Sequence, residues 1–76
     1  MKSYSIYFRV LPVNLNIPNG RMISVNISKR RLDIEPCSIA SGDMTPAPPG
    51  QMLLTWPSGE KATLPEHSVR GIAFNS

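Results

Sequence analysis

The sequence predicts an all-β fold, a small partly open barrel of five to six short strands, and three observations carry that prediction. Apolar and polar residues alternate over most of the chain, the spacing of half-buried strands. No stretch shows the periodicity of an amphipathic helix. Two segments, Ile17-Pro18-Asn19-Gly20-Arg21 and Trp56-Pro57-Ser58-Gly59-Glu60, each set Pro, a small polar residue and Gly between alternating apolar runs. Proline presets φ, the polar residue tolerates the right-handed helical region, and glycine accepts a left-handed position. Both segments therefore read as three-residue hairpin loops, a type I turn closed by a glycine bulge.

From the N-terminus, Tyr4–Val10 reads as a strand with Tyr4, Ile6, Phe8 and Val10 on one face. The apolar parity switches at Val10-Leu11, just before Pro12, which predicts a bulge or sharp bend. Strands near 11–17 and 21–28 are expected to form the first hairpin. A loop at 18–20 sets Leu15 opposite Ile23, Val13 opposite Val25 and Leu11 opposite Ile27, all on one face. A two-residue Asn-Gly turn would split that apolar set across both faces, so the longer loop is preferred. Leu32 and Ile34 continue as a short strand after a basic turn.

Residues 35–51 form a long Pro/Gly-rich stretch with scattered apolar residues, expected to be an irregular loop of functional character. The second hairpin, near 51–56 and 60–64, sets Leu54 opposite Ala62 and Met52 opposite Leu64. One helical or 3₁₀ turn follows at 64–69, with Pro65 at its start, before a last strand 69–74 that carries Ile72 and Phe74 on one face. The flanks of Pro48-Pro49-Gly50 do not alternate, so it is not read as a hairpin. Valine is accordingly expected to destabilise at Gly20 and Gly59 and to be nearly silent at Gly50.

At 76 residues the chain is read as one domain, 1–76, near the lower size at which a core supports folding alone. One cysteine, Cys37, leaves no internal disulfide framework and fits a reducing compartment. No run approaches the length of a membrane span or a signal peptide, so the expected location is cytoplasmic, with no membrane partner.

Catalysis finds little support. His67 is the single histidine, and no nucleophile–base or paired-carboxylate arrangement can be placed by spacing. One Cys and one His leave a tetrahedral zinc set half empty, and the glycines lie at turns, not in a phosphate loop. No enzyme activity, metal or cofactor is expected.

The segment Leu64-Pro65-Glu66-His67-Ser68-Val69 is similar to the apolar-Pro-x-x-x-Val turn before the last strand of SH3-like barrels. The resemblance covers six residues and implies an SH3-like outline. The paired acidic and aromatic residues with which SH3 domains hold proline-rich ligands have no counterpart here.

Two functions follow from what remains. The first is a small accessory regulator or inhibitor, of the kind carried on mobile elements. It would bind a protein through the long loop (Met44, Pro48, Pro49) or an exposed strand edge. The second is a nucleic-acid-binding barrel. Its contacts would be Lys29, Arg30 and Arg31 with Arg21 and Lys61, and Tyr7 or Trp56 would stack bases beside Arg9. A net charge of +3, with Asp33 and Glu35 directly after the basic run, favours the first. The basic run also serves simply as a solvated turn, and Trp56 as core. Strand 4–10 is expected either to close against 69–74, leaving a monomer, or to form an edge for a weak homodimer.

Overall fold

The computed structural model describes residues 2–12, 14–41 and 45–76. Among these residues seven strands form two antiparallel sheets: β1 (Ser3–Phe8), β2 (Met22–Asn26), β3 (Arg31–Ile34), β4 (Ser38–Ala40), β5 (Gln51–Thr55), β6 (Lys61–Pro65) and β7 (Val69–Asn75). The larger sheet has the order β2-β3-β1-β7, the smaller β4-β5-β6. A 3₁₀ turn at Glu66–Ser68 leads from β6 into β7, as the Leu64–Val69 segment predicts.

The second hairpin has the predicted register: Met52 faces Leu64, Leu54 faces Ala62, and Leu53 faces Thr63 on the other side. Trp56 N–H donates to the Glu60 carbonyl at 2.9 Å, Gly59 N–H donates to the Trp56 carbonyl at 2.9 Å, and Gly59 takes φ 103°. A left-handed glycine closing a three-residue loop is what the Pro-Ser-Gly spacing demands.

The first hairpin does not form. Arg21 N–H bonds the Pro18 carbonyl at 3.0 Å, so Pro18–Arg21 is a turn, yet Gly20 is not left-handed and 11–17 contains no described strand. β2 pairs instead with β3 across the turn Ile27–Arg30, whose Arg30 adopts φ 50°. The apolar alternation in 11–17 marks burial without a ladder. Leu11 and Leu15 pack against the core and Ile17 is buried. Asn16 meanwhile bonds the outer edge of β6, donating Nδ2–H to Thr63 Oγ1 at 3.2 Å and accepting Thr63 N–H at 3.1 Å. An Asn side chain with one donor and one acceptor satisfies a strand edge as a neighbouring backbone would. The expected pairing of Val13 lies outside the described residues.

The 35–51 stretch also differs from expectation, because Ser38–Ala40 within it pairs with β5. Its end is ordered by a second special glycine. Gln51 N–H bonds the Pro48 carbonyl at 3.1 Å, with Pro49 first and Gly50 (φ 72°) second at the centre of the turn. That is type II geometry, in which proline at the first central position is favoured. The reading of Pro48-Pro49-Gly50 as conformationally neutral is therefore corrected.

β1 is an interior strand. Ile6 lies between Leu32 of β3 and Ile72 of β7, so β1 pairs with the last strand, as one of the two alternatives expected, and leaves no free edge of its own. Between the sheets, Ile6, Phe8, Leu32, Ile34, Leu54, Trp56 and Leu64 are essentially inaccessible to solvent. Phe74, expected inside with Ile72, is exposed at the sheet margin and meets Tyr4 edge to face at 4.6 Å. Val10, expected on the apolar face of a strand running to position 10, is exposed because β1 ends earlier, at Phe8.

Candidate functional site

Arg21, assigned by sequence to an external contact, is engaged inside the molecule. Its Nη1–H donates to Glu35 Oε1 at 2.9 Å, and Nη2–H donates to both Glu60 oxygens at 3.2 Å and to Ser58 Oγ. Its carbonyl accepts Glu35 N–H at 2.9 Å, while the Glu35 carbonyl accepts Trp56 Nε1–H at 2.9 Å. One arginine thus ties the end of β3 to the tip of the second hairpin and orients the carbonyl that satisfies the buried indole. Lys61 belongs to this same hairpin, opposite Thr55, and not to the basic cluster.

On the outer face of the larger sheet, Ser5 Oγ–H donates to Asp33 Oδ1 at 2.6 Å and Ser24 Oγ–H to Asp33 Oδ2 at 2.9 Å. Arg31 Nε lies 3.5 Å from Asp33 Oδ2, and Asn75 Nδ2–H donates to Ser5 Oγ at 2.8 Å. These hydroxyl bonds, led by Ser5, hold the Asp33 carboxyl below its usual range. Hydrogen bonds from Ser58, from its own backbone and from Arg21, in that order, likewise depress Glu60. A depressed carboxylate stabilises the fold fully above its unfolded pKa, and the contribution is lost as pH falls through the folded value. The melting temperature should therefore hold from neutral pH down to the ordinary carboxylate range and fall below it. Asp33→Asn combined with Glu60→Gln should lower it at neutral pH and flatten the acid limb. An unchanged acid limb in that variant would contradict the assignment.

Of the basic residues predicted at 29–31, Lys29 and Arg30 sit on the β2–β3 turn and Arg31 opens β3, at the end of the strand away from Arg21. The structure brings further cations to them. Tyr7 pairs with Arg31 on one side and Gly71 on the other, and the Arg70 guanidinium carbon lies 6.0 Å from the Tyr7 ring centre. Phe8 N–H bonds the Arg30 carbonyl at 2.9 Å, and Arg9 N–H bonds the Ser68 carbonyl at 2.8 Å, so Arg9, Arg30 and Arg70 converge where β1 ends. Arg70 has no warning in the sequence, because a single arginine 40 residues from the cluster is placed by the β1–β7 register alone.

β2 holds the other unpredicted feature. It is an edge strand, and its Met22, Ile23 and Val25 are 37%, 40% and 40% exposed, with Ile27 of the following turn 75% exposed. Parity reasoning put Ile23, Val25 and Ile27 in the core through a hairpin with 11–17. With that hairpin absent, the outer side of β2 has no strand beside it among the described residues. No charged residue occupies 22–26 to blunt the edge.

Of the loop candidates, Pro48 and Pro49 are exposed, and the Gly50 carbonyl accepts Glu66 N–H at 3.0 Å beside the 3₁₀ turn. Met44 lies outside the described residues. Cys37 is buried in the core, and burial pushes its thiol up to about 11, while His67 is exposed, so the two form no nucleophile–base pair. Among the described residues no three His, Cys, Asp or Glu side chains gather as a metal set would. No helix among these residues is long and apolar enough to cross a membrane. An open depression of about 430 Å³ beside Tyr4 and Phe74 is lined by Lys2, Pro36, Asn75 and Ser76. No family model matches the chain, and no curated protein or solved structure is significantly similar to it.

Proposed function

We propose that this protein is a small accessory regulator or inhibitor that binds another protein by accepting an extended segment along the edge of β2. The observation that carries the reading is the run of exposed, uncharged apolar residues on that edge. A flat apolar edge is a template for pairing with another chain, and natural sheets normally guard it with charge, proline or a covering segment. In strand addition, backbone bonds supply affinity and alternate side chains supply selectivity. Alternate residues of an antiparallel strand bond to the same neighbour. The Glu35 N–H to Arg21 carbonyl bond and the pairs Ser24–Asp33 and Asn26–Arg31 direct Ser24 and Asn26 towards β3, and turn the amide of Val25 outward. In this reading the two sheets are halves of a partly open, SH3-like barrel with β2 on its open seam. The lone buried Cys37 suits a reducing, cytoplasmic setting.

Val25→Pro removes an outward amide that the ladder does not use, so the fold should persist while strand addition is blocked. A nuclease-treated pull-down should capture a partner with the wild-type chain and lose it with Val25→Pro. Sedimentation of the isolated chain should show a monomer at every concentration. Capture that survives the substitution would contradict the reading, and a concentration-dependent dimer abolished by Val25→Pro would replace the foreign partner with a second copy.

A further inference from the structure

We infer that the end of the larger sheet around Tyr7 is a binding site for single-stranded nucleic acid, separate from the β2 edge. Five of the eight lysines and arginines, Arg9, Lys29, Arg30, Arg31 and Arg70, gather there although they are scattered over 62 positions of sequence. The acidic residues that argue against nucleic acid in the linear sequence are drawn away from this end or held. Glu35 and Glu60 close on Arg21 at the far end of β3, and Asp33 is held by Ser5 and Ser24 and faces Arg31. Glu66, in the adjoining 3₁₀ turn, is the carboxylate on the rim. The sequence-level field of +3 therefore understates the local one.

Single strands fit better than duplexes on two grounds. The cations surround one half-buried aromatic ring on a sheet face, not a stripe spaced along a helix or groove. Tyr7 and the Arg70 guanidinium together offer a π surface on which an unstacked base can lie, whichever of the two planes it meets. The buried Nε of Arg31 lies 3.5 Å from Asp33 Oδ2, an ion pair that holds that side chain's root against the sheet beside Tyr7. Phosphates would then track Arg9, Lys29, Arg30 and Arg70, all exposed. Such contacts give affinity without base identity. Arg21 and Lys61 take no part.

The test is fluorescence anisotropy with a labelled oligothymidylate of about a dozen nucleotides, followed across salt concentrations. If about four phosphates are neutralised, log affinity should fall with log salt at a slope near −3, about 0.7 per phosphate. Replacing Arg9, Lys29 and Arg70 together by Ala should flatten that slope by about 2. Tyr7→Leu should weaken binding about tenfold with the slope unchanged, the mark of a lost stacking contact. Lys2→Ala with Lys61→Ala removes two charges elsewhere and should change neither quantity. Val25→Pro should also leave both unchanged, so failure here is separable from failure of strand addition. An RNA arm with oligouridylate tells whether the 2′-hydroxyl adds to the same site. The inference is overturned if a duplex binds as tightly with Tyr7→Leu silent, or if polyglutamate competes equally. It is equally overturned if the Lys2/Lys61 variant flattens the slope as far as the patch variant.

Discussion

Trp56→Ala is expected to remove most of this protein's folding stability at room temperature. The indole is among the largest fully buried side chains, packed between the sheets with Leu54 and Leu64. Truncating a buried Trp costs about 3–5 kcal/mol in cores that relax only partly. A domain of this size has a total stability on the order of 5 kcal/mol. The loss is not only apolar. Trp56 Nε1–H satisfies the Glu35 carbonyl, and the same Glu35 is held by Arg21 through both backbone and side chain. Trp56→Phe separates the two contributions: it keeps most of the ring volume and orphans the carbonyl, at about 1–3 kcal/mol. In urea melts, Ala should shift the midpoint far more than Phe, with no rise in slope for either. Equal, small shifts would mean that Trp56 is not a core residue.

The glycines give the second large effect. Gly59 (φ 103°) and Gly50 (φ 72°) hold left-handed backbone, whereas Gly20 does not, and a Cβ at any of the three would meet open space. Conformation alone therefore decides. Valine in the left-handed region is strained by roughly 1–3 kcal/mol. Gly50→Val and Gly59→Val should each lower stability by that amount, and Gly20→Val by much less. This reverses the sequence expectation for positions 20 and 50. A melt in which Gly50→Val matches wild type while Gly20→Val collapses would restore the original hairpin and contradict the structure.

The second hairpin was legible because its signals agree: loop chemistry, alternation on both sides, and a register that puts Met52, Leu54, Ala62 and Leu64 inwards. The first was misread because the same signals were present and only one was obeyed. Alternation in 11–17 reports which side chains face the core, and Leu11, Leu15 and Ile17 do so. It cannot report whether the backbone joins a ladder. Asn16, by bonding Thr63, took the segment to the edge of the other sheet, a contact 47 residues away that no local pattern encodes. The β4 strand was hidden for a similar reason, since three residues among prolines are too few to show a period.

The candidate sites were legible only in part. The run 29–31 and Tyr7 could be singled out from sequence, but Arg70 joins them through β1–β7 pairing, and Arg21 leaves them for Glu35 and Glu60. The exposure of β2 follows from the absence of a strand beside it, which depends on the misread hairpin.

The claim on which both the fold and its proposed use rest is that β2 pairs with β3 alone and turns its other side to solvent. Residue-resolved amide hydrogen exchange on dilute protein tests it directly. The account predicts slow exchange at Ser24 and Asn26, whose backbones face β3, and fast exchange at Val25 between them. Protection of Val25 as strong as that of Ile6 in the sheet interior would show a strand lying beside β2, and would contradict the account.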